Sequence, residues 1–305
     1  MKYVVIGTGG TGGPLGAYLA EGGKDVTVIA RGEHLKRIRE SGLRLETTFG
    51  KDRTIYPVKA EDMDHYTGKA DVIFVCVKSY SLADTVPFIK KIAHERTTVI
   101  PILNIYGTGG MLQRELPEIL VTDGCVYVSA NIKEPGTIFM HGEIFRVVFG
   151  VRKPEEYRPE LREIADDLEA CGIRAVLSDN IRRDALRKFS YVSPMGACGV
   201  YFNASAGAVQ KEGKEREFFC ALIREIEGLA QAMGIDFGED MVKVNLKILD
   251  NLNPVATTSM QRDLREGRQS EADGLIREVI RLGEKYHVPT PAYRLAADRI
   301  FGEIS

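Results

Sequence analysis

The sequence lacks tryptophan altogether, holds only five cysteines, carries almost no net charge and has no long apolar run. Its longest apolar stretches, such as Val72 to Val77, fall far short of the ~20 residues needed to span a bilayer. No membrane-crossing helix and no membrane partner are therefore expected. The opening Met1-Lys2-Tyr3-Val4-Val5-Ile6-Gly7 is too short and too glycine-rich to act as a signal peptide. Cys76, Cys125, Cys171, Cys198 and Cys220 are odd in number, scattered and never in a C-x-x-C pair. That pattern points to reduced thiols, no zinc or other metal site and a cytoplasmic protein. Lysine and arginine number 41 against 43 aspartates and glutamates, a balance of −2 with no Lys/Arg-dense run. Nothing in it would draw in nucleic acid.

What is present is 44% hydrophobic and 28% charged residues, ample for packed cores and incompatible with disorder. At about 150 residues per domain, the 305 residues suggest two domains. Residues 2–6, 26–30, 72–77 and 99–103 are β-branched-rich runs, compatible with strands buried on both faces. Between them, 14–21, 33–40 and 81–93 read as helices. Such alternation means right-handed βαβ units and a parallel sheet. The runs 126–132, 136–140 and 145–149, separated by turn residues, suggest antiparallel strands closing one side of the first domain. After Asp179 the strand signal disappears, and 181–200, 215–233, 241–249, 273–286 and 291–304 are expected helices. Ile276, Val279, Ile280 and Gly283 show the spacing of a core-facing stripe. The expected fold is α/β, an N-terminal doubly wound sheet over 1–175 followed by an all-helical domain over 176–305.

Gly7-Thr8-Gly9-Gly10-Thr11-Gly12 is G-x-G-x-x-G placed directly after the first strand and before the first helix. Gly7 permits the tight turn, Gly9 lets the backbone approach a pyrophosphate, and Gly12 lets the helix pack closely on the strand. Helix N-terminal N–H groups then meet the phosphates. This is the context of a Rossmann-type dinucleotide site. Where an NAD enzyme usually offers a carboxylate to the ribose, the chain has Ala30-Arg31-Gly32, and an arginine fork suits the 2′-phosphate of NADP. The alternative is that Arg31 is a solvated strand-end charge and Glu33 takes the acidic role. Ligands of such sheets bind beyond the carboxyl ends of the strands. Lys78 and Asn104 stand at two of those ends.

In the helical half, positions 181, 185, 188, 192, 195 and 199 share one face, an apolar stripe interrupted by Lys188. A lysine on a buried stripe must be paired or lose its charge, and desolvation lowers its pKa toward what a proton donor needs near neutrality. The alternative is a lysine snorkelling at the stripe's edge. Ser270 reads as an N-cap with acids in the first turn, so Glu271 needs no further explanation on local grounds.

Taken in order, Gly7-x-Gly9-x-x-Gly12, Arg31, Val77-Lys78, Leu103-Asn104, Lys188-Phe189, Ser259-Met260-x-x-Asp263-x-x-x-Gly267-Arg268-x-Ser270-Glu271-x-Asp273 and Val288-Pro289-Thr290-Pro291 resemble the ketopantoate reductase (2-dehydropantoate 2-reductase) family over essentially the whole chain. The resemblance implies an NADP-binding domain, a helical domain and a site in the cleft between them. It implies that Lys188 is the general acid for the substrate carbonyl, and that Glu271 holds the lysine and the substrate hydroxyl. Ser259 would bind the substrate carboxylate, and Lys78 and Asn104 would line the nicotinamide end, Asn104 also touching substrate. The implied reaction is NADPH-dependent reduction of a 2-oxoacid, 2-dehydropantoate to pantoate in pantothenate biosynthesis. The implied partner is that small molecule, and a homodimer is compatible with it. There are departures from the family pattern. Val192 and Ala256 stand where the family often has asparagine, and Asn104-Ile105-Tyr106-Gly107 replaces an asparagine–glycine pair. Lost asparagines remove hydrogen bonds to the substrate's polar end. A reductase of a different 2-oxoacid therefore stays open, as does an NADP(H)-responsive binding protein without turnover. Retention of both Lys188 and Glu271 speaks against the latter.

Overall fold

The computed structural model describes residues 1–302, which divide into two compact units. The first comprises Met1–Leu103 and Gly107–Ile181; the second comprises the short segment Asn104–Tyr106 and the chain from Arg182 on. The expected cut at 175/176 is corrected by this division. It would fall inside a strand, Arg174–Leu177, that pairs along its whole length with a neighbour.

In the first unit, strands β1 (Lys2–Ile6) and β2 (Asp25–Ile29) flank helix α1 (Gly12–Glu21), and α2 (Gly32–Ser41) follows. Three short strands come next, β3 (Leu43–Thr47), β4 (Arg53–Ile55) and β5 (Lys59–Glu61). Then come β6 (Val72–Val75), α3 (Thr85–Ile92), β7 (Thr98–Pro101), α4 (Thr108–Glu115) and β8 (Leu120–Val121). The expected helix 81–93 is thus shorter, with a separate 3-10 turn at Ser79–Ser81. Six strands form one parallel sheet in the order β5-β2-β1-β6-β7-β8. Successive side chains of a strand point to opposite faces, and here both faces are buried. Tyr3 and Val5 enter one core with Leu15 and Leu19 of α1 and Ile38 of α2. Val4 and Ile6 enter another with Ile89 and Ile92 of α3 and Leu112 of α4. Burial on both faces is why these strands read as continuous apolar runs. The sheet is doubly wound, as expected.

The expected antiparallel set is corrected in part. Residues 126–132 belong to two strands in different sheets, β9 (Asp123–Tyr127) and β10 (Ala130–Glu134). β10 and β11 (Thr137–Met140) do form an antiparallel hairpin, but β11 then pairs in parallel with β3. β12 (Arg146–Gly150) pairs not with β11 but with β9 and, after α5 (Glu160–Ala170), in parallel with β13 (Arg174–Leu177). These partners lie far apart in sequence, and local alternation does not encode which edge a strand joins.

The second unit holds no strand among its described residues. Its helices are α6 (Ile181–Tyr201), which starts at the last residue of the first unit, α7 (Ala206–Val209), α8 (Lys214–Ala232), α9 (Met241–Asp250), α10 (Ser259–Arg265), α11 (Glu278–Tyr286) and α12 (Pro291–Phe301). The expected helix 273–286 opens instead as a wide π-helical turn, Asp273–Arg277, and the end of the expected helix 291–304 lies outside the described residues. Ile276, Val279, Ile280 and Gly283 are buried as their spacing requires. Pro194 sits inside α6, where it offers no N–H to the carbonyl of Ser190. Asn245 of α9, 1% exposed, donates its Nδ2 to that carbonyl at 2.8 Å and closes the gap. Among the described residues no helix is long and apolar enough to cross a membrane.

Candidate active site

The glycine loop of the first unit is shaped by four different demands. Gly7 has φ +94°, a left-handed conformation that turns the chain off β1. A side chain on Gly12 would overlap the Gly7 carbonyl and press on Val5 and Cys76, so this glycine lets α1 start against the sheet. A side chain on Gly10 would overlap the Ala130 carbonyl of β10, and one on Gly13 would meet Ile138 of β11 at 2.7 Å. Those two glycines therefore serve the hairpin. Gly9 alone faces space with no atom within 4 Å, the open cradle that a phosphate approaching the backbone requires. The first turn of α1 carries no acidic residue, so its positive end is left for an anion. Thr11 is its N-cap residue, without a side-chain cap bond. These residues fit a dinucleotide pyrophosphate.

Thr8 is buried and donates its hydroxyl to the Ile29 carbonyl at 2.9 Å, tying the loop to the end of β2. One residue that the sequence reading missed holds the same place from the other side. His34 of α2 contacts the Thr8 carbonyl through Nε2 at 2.8 Å and accepts the Gly136 N–H on Nδ1 at 2.9 Å. An acceptor Nδ1 requires the proton on Nε2, so the ring is the neutral Nε2–H tautomer. Burial lowers its pKa, in keeping with that form. No local signal marks His34, because its partner Gly136 is 102 residues away.

Arg31 is the exposed N-cap residue of α2, with no side-chain partner among the described residues. Glu33, the rival for the ribose, is spoken for by Arg37 at 3.6 Å and Lys36 at 3.8 Å. Lys78 follows β6 as the residue that leads into the 3-10 turn.

In the second unit the structure joins two of the residues singled out from sequence. Lys188 of α6 is 8% exposed, and its Nζ donates to Asn104 Oδ1 at 2.7 Å. Glu271 is 4% exposed, and its carbonyl accepts the Leu275 N–H as the π turn begins. Charges this deep persist only when paired or hydrogen-bonded. Ser270 approaches the Ala272 N–H at 3.4 Å, a weak version of the expected cap. Ser259 is not a cap at all. Thr258 caps α10, accepting the Gln261 N–H in a capping box, which leaves the half-buried Ser259 hydroxyl without a cap role. Val192, one turn beyond Lys188, and Ala256 are half-buried apolar side chains on the core of this unit.

Residues 3–154 match the profile described as ketopantoate reductase PanE/ApbA, and residues 180–300 match that of its C-terminal domain. The chain is 27% identical to a 2-dehydropantoate 2-reductase of Mesorhizobium japonicum, with 95% of this chain and 94% of that one covered. Among solved structures it is similar to a PanE/ApbA family ketopantoate reductase of Ralstonia eutropha JMP134, at TM-score 0.88 and 26% identity, covering 98% and 97% of the two chains. A D-mandelate dehydrogenase bound to NADH and anilino(oxo)acetate shares the fold at TM-score 0.89 and 22% identity, covering 98% and 97%.

Proposed function

The chain belongs to the ketopantoate reductase family, and on that premise we propose that it reduces 2-dehydropantoate to pantoate, a step of pantothenate biosynthesis. The coarser statement, an NADPH-dependent oxidoreductase acting on 2-oxoacids, follows from the family itself. The observation that supports this reductase chemistry is the buried Lys188, its Nζ held on Asn104 at 2.7 Å, a proton donor kept in place and away from bulk water. Bound NADPH supplies the hydride to C2 of the oxoacid. Lys188 gives its proton to the carbonyl oxygen as negative charge develops there, so no free alkoxide has to form. Glu271 holds Lys188 and the substrate hydroxyl, Ser259 takes the carboxylate, and Asn104 orients the lysine and touches substrate. Gly9 gives the pyrophosphate its open approach, Gly7, Thr8, Gly10, Thr11 and Gly12 shape the cofactor loop around it, Arg31 pairs with the 2′-phosphate, and Lys78 and Asn104 serve the nicotinamide end.

A second reading, reduction of a 2-oxoacid with an apolar side chain, is favoured by Val192 and Ala256, which offer no hydrogen bond to a polar substrate tail. The fold shared with a D-mandelate dehydrogenase agrees with it. NADPH oxidation measured over a panel of branched, linear and aromatic 2-oxoacids separates the two. The highest kcat/KM is expected for 2-dehydropantoate; a clear preference for phenylglyoxylate would establish the second reading, and no turnover of any oxoacid would overturn both.

A further inference from the structure

Asn104 sits on a loop and Lys188 has a long flexible stem, yet the two meet at hydrogen-bond distance. Something must restrict both. The segment Asn104–Tyr106 leaves the first unit and packs with the second. Ile105, next to Asn104, is 5% exposed inside the helical core. It lies over Gly274, where a built Cβ would stand 2.8, 3.0 and 3.3 Å from three of its side-chain carbons. Glycine at 274 is thus the floor of a socket shaped for Ile105. That floor belongs to the π turn Asp273–Arg277, whose Leu275 carbonyl is met from the side by the Ser193 hydroxyl at 2.5 Å. Ser193 in turn accepts from the fully buried Tyr293 hydroxyl at 2.6 Å. On the other partner's side, Phe189, next to Lys188, is 2% exposed, and Tyr106 lies 6.2 Å from its ring centroid. Both members of the polar pair therefore have their neighbour in the chain anchored in one core.

We propose that Ile105 seated on Gly274 is the positioning device of the proton donor: it sets where the Asn104 amide stands and, through it, where Lys188 presents its proton. The inference rests on Lys188 being that donor. Pre-setting a lysine avoids ordering its stem in each turnover.

The test uses the full chain with NADPH and, as probes, 2-dehydropantoate and phenylglyoxylate. Ile105→Ala is expected to lower kcat on the order of tenfold, the effect of weakening one hydrogen bond to a charged group, with any loss of NADPH affinity by fluorescence no greater than that of Asn104→Ala. Ile105→Val should restore most of kcat. Added to Asn104→Ala, Ile105→Ala should cost nothing more, because both act on the same lysine. A crystal structure of Ile105→Ala should show Asn104 Oδ1 withdrawn from Lys188 Nζ. If Ile105→Ala does not fold, Gly274→Ala pushes on the same contact from the other side and should give the same kcat loss. An equal further loss on the Asn104→Ala background would overturn the proposal, as would unchanged kcat in both variants. The reading it rests on fails separately: Lys188→Ala would then keep full turnover, or the unmodified protein would reduce neither probe.

Discussion

In the proposed reaction the proton donor is Lys188, a lysine 8% exposed and fixed on an amide oxygen. Lys188→Ala is expected to cut kcat by on the order of 10²–10⁴, the range for losing a general acid, with NADPH binding intact. Glu271→Ala should slow turnover too, and the double variant should be little worse than the poorer single one, since groups acting as a unit are not additive. Steady-state rates with a matched NADPH titration check both statements; a Lys188→Ala protein at full speed contradicts them. The exposed guanidinium of Arg31 leads to a different expectation. Arg31→Ala should erode a preference for NADPH over NADH by roughly ten- to a hundredfold in kcat/KM, the worth of a charge-assisted pair at about 1.5–3 kcal/mol. Equal efficiencies with the two cofactors in the unmodified protein would remove its basis. Lys188 was legible because helical spacing placed it on an apolar stripe. His34, Ile105 and Gly274 were not, since each acquires its role from a residue distant in the chain that spacing cannot supply.

At the scale of elements, the glycine loop depends on its clamp as much as on its glycines. His34→Ala should raise the NADPH dissociation constant about fivefold, near 1 kcal/mol for the lost hydrogen bonds, and leave kcat unchanged. His34→Asn, whose oxygen can accept from Gly136, and His34→Gln, whose amide can reach the Thr8 carbonyl, should each recover part of the loss in the same binding assay. In α6, Asn245→Ala strands the Ser190 carbonyl and should cost about 1–3 kcal/mol in chemical denaturation. Pro194→Ala in that background returns a helical N–H to the same carbonyl, so it should restore stability; a further drop would show that the proline, not the carbonyl, matters there. The long, doubly buried strands β1, β2, β6 and β7 and most of the helices could be read from the sequence. The short β4 and β5, the β9/β10 split and the π turn could not, because a few residues carry too little periodicity and the π turn is stabilised by Ser193, 82 residues from the carbonyl it meets.

For the whole molecule, acid should act through the first unit. Asp167 of α5 accepts from the Tyr3 hydroxyl and the Lys24 ammonium, each at 2.5 Å. Burial alone would raise its pKa; the two hydrogen bonds reverse that and hold it below its ordinary 3.8. The folded state then binds a proton less readily than the unfolded chain. The stabilisation is fully present above about pH 4 and is lost as pH falls through the lowered pKa. Urea midpoints followed from pH 6 to pH 2.5 should drop less steeply in Asp167→Asn than in the parent; parallel curves would refute this. The chain passes between its units at 103/104, 106/107 and 181/182 rather than once. The gene therefore cannot be cut into two self-contained cassettes. A fragment starting at 182 would encode the helices without the residue that fills the hollow over Gly274, and recombination that exchanges one half for a relative's would bring together a plug and a socket with separate histories.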